Sequence, residues 1–330
     1  MGYYLYQLEF DAPVHFGYSN NGGGLEQISK SFTSDSLFSA ICSELAQQDE
    51  LDLLNSLKAM AAEGDFKISD LFPYLDADED LYLFLPKPFI KTEGVADSAM
   101  NLEEAKQISA QRKAIKKQAY IRISELPRFM STVKGGKPFK AEAELSNGSE
   151  SLVHRVNCRT GEEPLPYYVN QYSFPDNAGL YLVAKLPDDM PDTFQCILES
   201  LGYSGIGGKR SAGYGRFHLA DDFLEIDDTY EDTEALQFML EDEDAKSYMA
   251  ISSVLPKENE VIIVSDGQYQ LKKSSGFTNG IKRDSVYMIA AGSCLKQRIS
   301  GEIIDIAHDD EAFGHPVWRY GKGMFIGLPG

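Results

Sequence analysis

Tyr4, Tyr6, Leu8 and Phe10 alternate with Gln7 and Glu9, which predicts an opening strand with one buried face. Thr33, Ser34 and Asp35 supply N-cap chemistry. Leu37, Phe38, Ile41 and Leu45 then follow at helical spacing, and Leu54, Leu57 and Met60 form a second helical set. Residues 81–85 are a short apolar run stopped by Pro86 and Pro88, so a strand is expected there. From about residue 90 to 148 the apolar rhythm fades. The middle of this segment, 105–119, suits a helix, and Lys134-Gly135-Gly136-Lys137-Pro138 suits an exposed turn. The segment is expected to be an insertion that projects from the domain.

The core rhythm resumes over 167–174 and 180–186, two expected strands joined by Pro175-Asp176-Asn177-Ala178-Gly179. A helix is expected next, with Asp192 or Thr193 as cap, Phe194, Ile197, Leu198 and Leu201 as apolar face, and Gly202 as its end. A glycine-rich loop follows, and 214–219 closes as a strand. Without the insertion the order is β-α, further strands, then α-β, which is the ferredoxin-like, split βαβ order. Residues 223–245 read as an acidic linker with one short helix around 236–240. Beyond it, strands are expected at 248–255, 261–264, 285–291, 301–306 and 324–328, with no convincing amphipathic helix.

A length of 330 residues fits about two domains, and an apolar share of 43% fits a globular core. No apolar run approaches the roughly 20 residues of a membrane span. The opening lacks the basic region of a signal peptide, and Tyr6 stands where myristoylation needs Ser or Thr after Gly2. Cys42, Cys158, Cys196 and Cys294 are widely spaced, which predicts free thiols in a reducing cytoplasm and no zinc site. No cofactor or metal motif is present.

A net charge of −20 opposes nucleic-acid binding at first sight, but the charge is unevenly placed. Residues 221–244 are rich in acids and hold no base. Lys106, Arg112, Lys113, Lys116, Lys117, Arg122, Arg128, Lys134, Lys137 and Lys140 stand against Glu125 alone. An acidic exterior with one basic stretch suits a confined anion-binding surface, or acidic faces turned to basic partners.

The most informative run is Gly205-Ile206-Gly207-Gly208-Lys209-Arg210-Ser211-Ala212-Gly213-Tyr214-Gly215. Glycines let backbone amides converge on an anion, and Lys209 and Arg210 add charge. The run is not a Walker A loop, because no glycine stands five residues before Gly208 and Arg210 replaces the magnesium-binding Ser or Thr. It lacks the third glycine of a dinucleotide fingerprint, and Ile206 breaks the nucleophile-elbow pattern. A nucleic-acid backbone cradle is the preferred reading over a plain surface turn. Arg155, Asn157 and Arg159 alternate and would share a strand face, which suits RNA contact. Lys272, Lys273, Lys282, Arg283, Lys296 and Arg298 form a thinner basic scatter.

A glycine-rich loop between the last helix and last strand of a ferredoxin-like domain resembles the RAMP superfamily of CRISPR proteins. Pro13-Val14-His15-Phe16-Gly17, Ser34 to Ala40, His154-Arg155-Val156-Asn157-Cys158-Arg159-Thr160-Gly161, Ala291-Gly292-Ser293 and Gly314-His315-Pro316-Val317-Trp318-Arg319-Tyr320-Gly321 follow in order. Together they resemble the fourth-subunit family of the type III-A CRISPR Csm effector complexes. The sequence departs from that pattern at Cys158 and Ala291. The resemblance implies an α+β fold of two tandem ferredoxin-like (RRM-like) domains. The first is 1–222, with the insertion at about 90–148 and the loop at 205–215. The second is 246–330, degenerate and strand-rich.

The resemblance also implies a subunit that caps one end of the complex, holds the 5′ handle of the guide crRNA, and docks to the large polymerase-like subunit and the backbone RAMP subunit. Target RNA would be met only indirectly, through a thumb pressing on the guide–target duplex, for which the basic insertion is the candidate. The expected RNA-binding residues are His15, Phe16, Gly17, Arg112, Lys113, Lys116, Lys117, Arg122, Arg155, Asn157, Arg159, Gly205, Gly207, Gly208, Lys209, Arg210, Ser211, Gly213 and Gly215. Phe16, Tyr18, Tyr214 and Phe277 are candidates for stacking on bases. No catalysis and no membrane contact are expected. Some RAMP relatives cleave guide precursors with a histidine, so a metal-independent endoribonuclease using His15, or His154 beside Arg155, is the alternative. A phosphate-binding metabolic enzyme and a purely structural subunit are weaker ones.

Overall fold

The structure, a computed structural model, describes residues 1–17, 25–77, 80–90, 118–134, 139–141, 145, 148–158, 163–278, 281–307 and 315–329. Strand β1 (Gly2–Phe10) opens the chain as the alternation predicts. It is buried on both faces, not one. Tyr6 and Leu8 join a core with Phe38, Ile41, Leu198 and Leu201, while Leu5 joins a second core with Tyr74, Tyr181 and Leu236. A strand clad on both sides needs apolar residues on both, and the single Leu5 among polar neighbours was too thin a signal.

Helix α1 (Ser34–Gln47) starts where the capping residues place it, with the Thr33 hydroxyl accepting from the Ser36 amide. Helix α2 (Leu51–Glu63) follows, ended by Gly64 in a left-handed conformation. Strands β2 (Phe72–Ala77) and β3 (Asp80–Pro86) form a hairpin, and β4 (Tyr120–Arg122) adds to its edge.

Helix α3 (Leu126–Lys134) buries Leu126, Phe129, Met130 and Val133 in the second core. Residues 120–133 therefore belong to the body, which corrects the boundary of the projecting insertion. The expected 105–119 helix lies almost wholly outside the described residues.

Strands β5 (Ser149–Asn157) and β6 (Leu165–Ser173) form a hairpin, and β6 is also bridged to the segment after β1 by mutual hydrogen bonds between Tyr172 and Val14. Strand β7 (Ala178–Leu186) then runs through the middle of the main sheet, between β1 and β2. Helix α4 (Pro191–Ser204) begins one residue earlier than the expected caps, with Pro191 in its first turn and Met190 as cap. Gly202 lies inside this helix. A Cβ there would stand 2.3 Å from the Phe217 carbonyl oxygen, so this glycine allows close packing and does not end the helix. Gly205 ends it instead. Strand β8 (Phe217–Leu219) returns to pair with β1. The sheet order β8-β1-β7-β2, antiparallel throughout, with α1 and α4 as crossovers, is the split βαβ order the sequence predicts.

Residues 223–245, expected as a linker, carry structure of their own. Leu224–Glu225 pairs with β1, and α5 (Glu231–Glu241) buries Leu236, Met239 and Leu240. Asp232 is fully buried and accepts from the Leu83 amide (2.8 Å), the Ser124 amide (2.9 Å) and Arg122 Nε (2.9 Å). An acid in a charge run is usually solvated; this one satisfies three donors of the expected insertion and of β3.

The carboxy-terminal part holds β9 (Tyr248–Ala250), α6 (Val261–Ser265), β10 (Leu271–Thr278), β11 (Ile281–Ile289), β12 (Gly301–Asp305), β13 (Trp318–Lys322) and β14 (Phe325–Gly327). The run 261–264, expected as a strand, is a short helix held by Glu260, which accepts from the Lys257, Ser300 and Gly301 amides. Strand β10 escapes prediction because its residues are mostly polar; it pairs with β11 through a bulge between Ser274 and Gly276. Among the described residues these strands form three small sheets. Met249, Ile251, Met324, Ile326 and Leu328 share the second core with Leu5 and Tyr74. No helix among the described residues is long and apolar enough to cross a membrane.

Candidate nucleic-acid interface

The loop after α4 is built by backbone geometry that few side chains tolerate. Gly205, Gly207, Gly213 and Gly215 all have positive φ, and Lys209 adopts the left-handed region at φ 62°. Gly215 closes the base of the loop. Its amide donates to the Pro13 carbonyl (3.0 Å), its carbonyl accepts from the Ile206 amide (2.9 Å), and a Cβ on it would lie 1.9 Å from the Ile206 oxygen. Gly207 and Gly208 let the segment 13–16 lie directly against the loop. The Gly208 amide donates to the His15 carbonyl (2.8 Å), and a Cβ on Gly207 would meet the Phe16 ring at 2.8 Å.

At the tip, residues 210–212 make one 3₁₀ turn between two left-handed residues, Lys209 and Gly213. The Ala212 and Gly213 amides bond back into the turn, to the carbonyls of Lys209 and Arg210. The Arg210 and Ser211 amides have no acceptor among the described residues, and both side chains are exposed. A left-handed residue followed by open amides, with Lys209 and Arg210 alongside, forms a nest for an anion.

The β5–β6 hairpin stands beside this tip. Its register puts Arg155 opposite Tyr167 and His154 opposite Tyr168. On the loop side, Lys209 Nζ lies 4.7 Å from the centre of the Tyr167 ring. Arg155 donates to the Tyr214 hydroxyl (3.1 Å), which donates to Gln171 Oε1 (2.6 Å). That hydrogen bond holds the Arg155 guanidinium in its charged form, pushing its pKa up. Asn157 shares this face by the period of the strand and is exposed. Leu152 (54% exposed), Val156 and Tyr168 occupy the opposite face, with His154 edge-on to the Tyr168 ring at 4.3 Å.

The structure thus gathers Lys209, Arg210, Ser211, Arg155 and Asn157 into one surface. It sets others apart. Phe16 is 2% exposed and packs on Phe10 and Phe32, so it is a core residue and not a stacking platform. Tyr214 is buried as well, offering its hydroxyl and not its face. His15 is 4% exposed, and its Nδ1 donates to the Asn170 carbonyl (2.7 Å), so it ties the segment before Gly17 to β6. Arg122 is held by Asp232 and Glu231 and stacks 3.8 Å over Tyr82 on the body of the protein, away from the loop. Arg112, Lys113, Lys116, Lys117, Arg159 and Tyr18 lie outside the described residues, as does the Phe277 side chain.

Tyr167, Tyr168 and Gln171 were missed by sequence reasoning. Their signal was the period-two pattern of β6, which places Tyr167 and Gln171 on the face of Arg155. Among the described residues no group of His, Cys, Asp and Glu converges as a metal site.

A model of the CRISPR Csm4 C-terminal domain matches residues 243–328. A protein of Streptococcus thermophilus, the CRISPR system Cms protein Csm4, is 28% identical over 345 residues, covering 99% of each chain. Its namesake from Mycobacterium tuberculosis (strain ATCC 25618 / H37Rv) is 27% identical over 336 residues, covering 98% of this chain and 97% of its own. Over nearly its whole length the chain is similar to these Csm4 proteins. The fold agrees with Csm4 structures. A chain of the Csm3–Csm4 subcomplex of the type III-A interference complex superposes with a TM-score of 0.62 at 15% identity, over 99% of both chains. A chain of the Csm1–Csm4 cassette bound to pppApA gives 0.60 at 18% identity, over 99% of this chain and 98% of that one.

Proposed function

We propose that this chain is a non-catalytic RNA-holding subunit of a type III-A CRISPR Csm complex in antiviral defence in the cytoplasm, and that the 205–215 loop grips the 5′ handle of the guide crRNA. The observation that carries the proposal is the pairing of an open-amide turn bearing Lys209 and Arg210 with a hairpin face bearing Arg155 and Asn157. Amides and cations together suit a phosphodiester backbone, and the exposed hairpin suits unstacked bases. The Csm4 of the solved assemblies occurs with Csm3 and with Csm1, which supports docking of this chain to a backbone RAMP subunit and to a large polymerase-like subunit. The β5–β6 hairpin, exposed on both faces over Leu152 to Asn157 apart from half-buried Val153, is a better candidate thumb than the described part of the basic insertion. Residues 246–330 are read, within the same proposal, as a degenerate ferredoxin-like unit whose antiparallel centre is β9 between β14 and Cys294–Leu295.

The non-catalytic role is supported by His15. A general acid or base must reach its substrate, whereas this ring is buried with Nδ1 committed to a carbonyl. Sequencing the 5′ ends of RNA that co-purifies with the tagged chain from its native cells tests the proposal. A shared short 5′ sequence ahead of many different spacers is expected; random ends or no RNA would overturn it. Lys209→Ala with Arg210→Ala is expected to weaken handle binding by roughly 10–100-fold and to flatten the log–log salt slope by about 1.4, at about 0.7 per lost phosphate contact on a single strand. An unchanged slope would remove the loop from the interface.

A further inference from the structure

Two guanidinium groups meet at the amino end of α1 with too few acceptors. Arg319 on β13 is 2% exposed, and its Nη1 donates to Asp35 Oδ2 at 3.1 Å. Its Nε and Nη2 are buried and have no acceptor among the described residues. Asp35 also accepts from the Tyr320 amide (3.1 Å) and the Ser274 hydroxyl (2.6 Å). Arg283 on β11 brings a second guanidinium, whose Nε is likewise buried and unpartnered. Burial and the repulsion of Arg319 both lower its proton affinity, while Asp35 raises it. Lys272 on β10 faces the same place, within the field of Asp70 and Asp35. Asp70 is engaged as well, accepting from the Ser34 amide, the Ser253 amide and the Ser253 hydroxyl.

The local balance is therefore three cations against two carboxylates, with guanidinium donors left over in a nearly dry site. Buried charged donors without acceptors are strongly unfavourable, and native proteins retain them where something else supplies the acceptor. The backbone is shaped to admit the charge. Gly276 stands opposite Arg283 in the ladder, next to the bulge, and a Cβ there would lie 2.5 Å from Arg283 Nη2. A planar carboxylate offers acceptors in one plane. Donors arriving from three strands are better matched by a tetrahedral oxyanion.

We propose that Arg319, Arg283 and Lys272 hold a phosphate group, at a site separate from the glycine-rich loop. The two sites are joined by contacts: Gly207 abuts Phe16, the Phe16 and Phe32 rings are 4.9 Å apart, and Thr33 caps α1 next to Asp35. The phosphate has two possible sources, a phosphodiester of bound RNA or a small free phosphate. RNA as the source presupposes the function proposed above; a free phosphate does not.

The test uses the full chain, Arg283→Gln, and Gly276→Ala, which keeps the arginine but displaces its guanidinium. Melting temperature is measured in inorganic phosphate against chloride at equal ionic strength, and binding of a single-stranded RNA of about eight nucleotides by anisotropy. If phosphate stabilises the wild-type chain and neither variant, the site takes a free phosphate. If phosphate has no effect but both variants bind RNA about tenfold more weakly, with a salt slope flatter by about 0.7, the site takes an RNA phosphodiester. Variants that match the wild type in RNA affinity and in phosphate response would overturn the proposal and leave these donors to water. Should the wild-type chain bind no RNA at all, the function proposed above falls, and the phosphate response alone decides this one.

Discussion

Arg122 and Lys209 illustrate how the same residue type takes opposite roles. Both lie in stretches where basic residues outnumber acids, yet Arg122 is clamped by the fully buried Asp232 while Lys209 sits over an aromatic ring beside open amides. Breaking a buried, hydrogen-bonded pair leaves Asp232 uncompensated, at a cost of about 3 kcal/mol. Arg122→Ala is therefore expected to lower unfolding free energy by roughly that amount in urea melts, with RNA affinity unchanged. A large loss of RNA affinity at unaltered stability would return Arg122 to the interface. The sequence could not separate these arginines, because Asp232 lies 110 residues from Arg122 and looks like one more solvated acid.

At the scale of elements, β1, α1, α2, β3, β6, β7, α4 and β8 were legible, since each carries its own period or cap, whereas β2, β4 and α3 were not. Strand β1, α1, β7 and α4 follow from the positions of Tyr6, Thr33, Leu182 and Phe194 alone. What stayed hidden was set by distant contacts. The helix over 261–265 looks like a strand because four apolar residues fit either period, and Glu260, through Ser300 and Gly301, decides it. Half of the candidate site was also legible: the loop glycines and Lys209 announce themselves, whereas Tyr167 acquires meaning only when the hairpin folds beside the loop. The loop's shape rests on Gly215. Gly215→Ala meets both a positive φ and a carbonyl at 1.9 Å, so a loss of roughly 2 kcal/mol or more is expected in thermal or urea melts. RNA affinity should fall with it even though no charge is removed. Unchanged binding would mean that the loop's backbone geometry is immaterial.

The molecule as a whole is sewn together across its midpoint. Tyr320 stacks on Phe38 at 4.9 Å and its hydroxyl accepts from the Ile68 amide, and Asp70 of the first half binds Ser253 of the second. Residues 246–330 expressed alone are expected to lack a cooperative melting transition, because Met249, Ile326 and Leu328 would lose the apolar surface of β1, β2 and α5. A sharp transition in that fragment would show that it folds by itself. The pairing of β1 with β7 has a further consequence in time. Gly2 meets Leu186, 184 residues later by subtraction of their numbers. At about 5–20 residues per second, a ribosome takes roughly 10–40 s to deliver that partner. Throughout that interval β1 lacks its ladder partner, so the centre of the sheet stays open for much of synthesis.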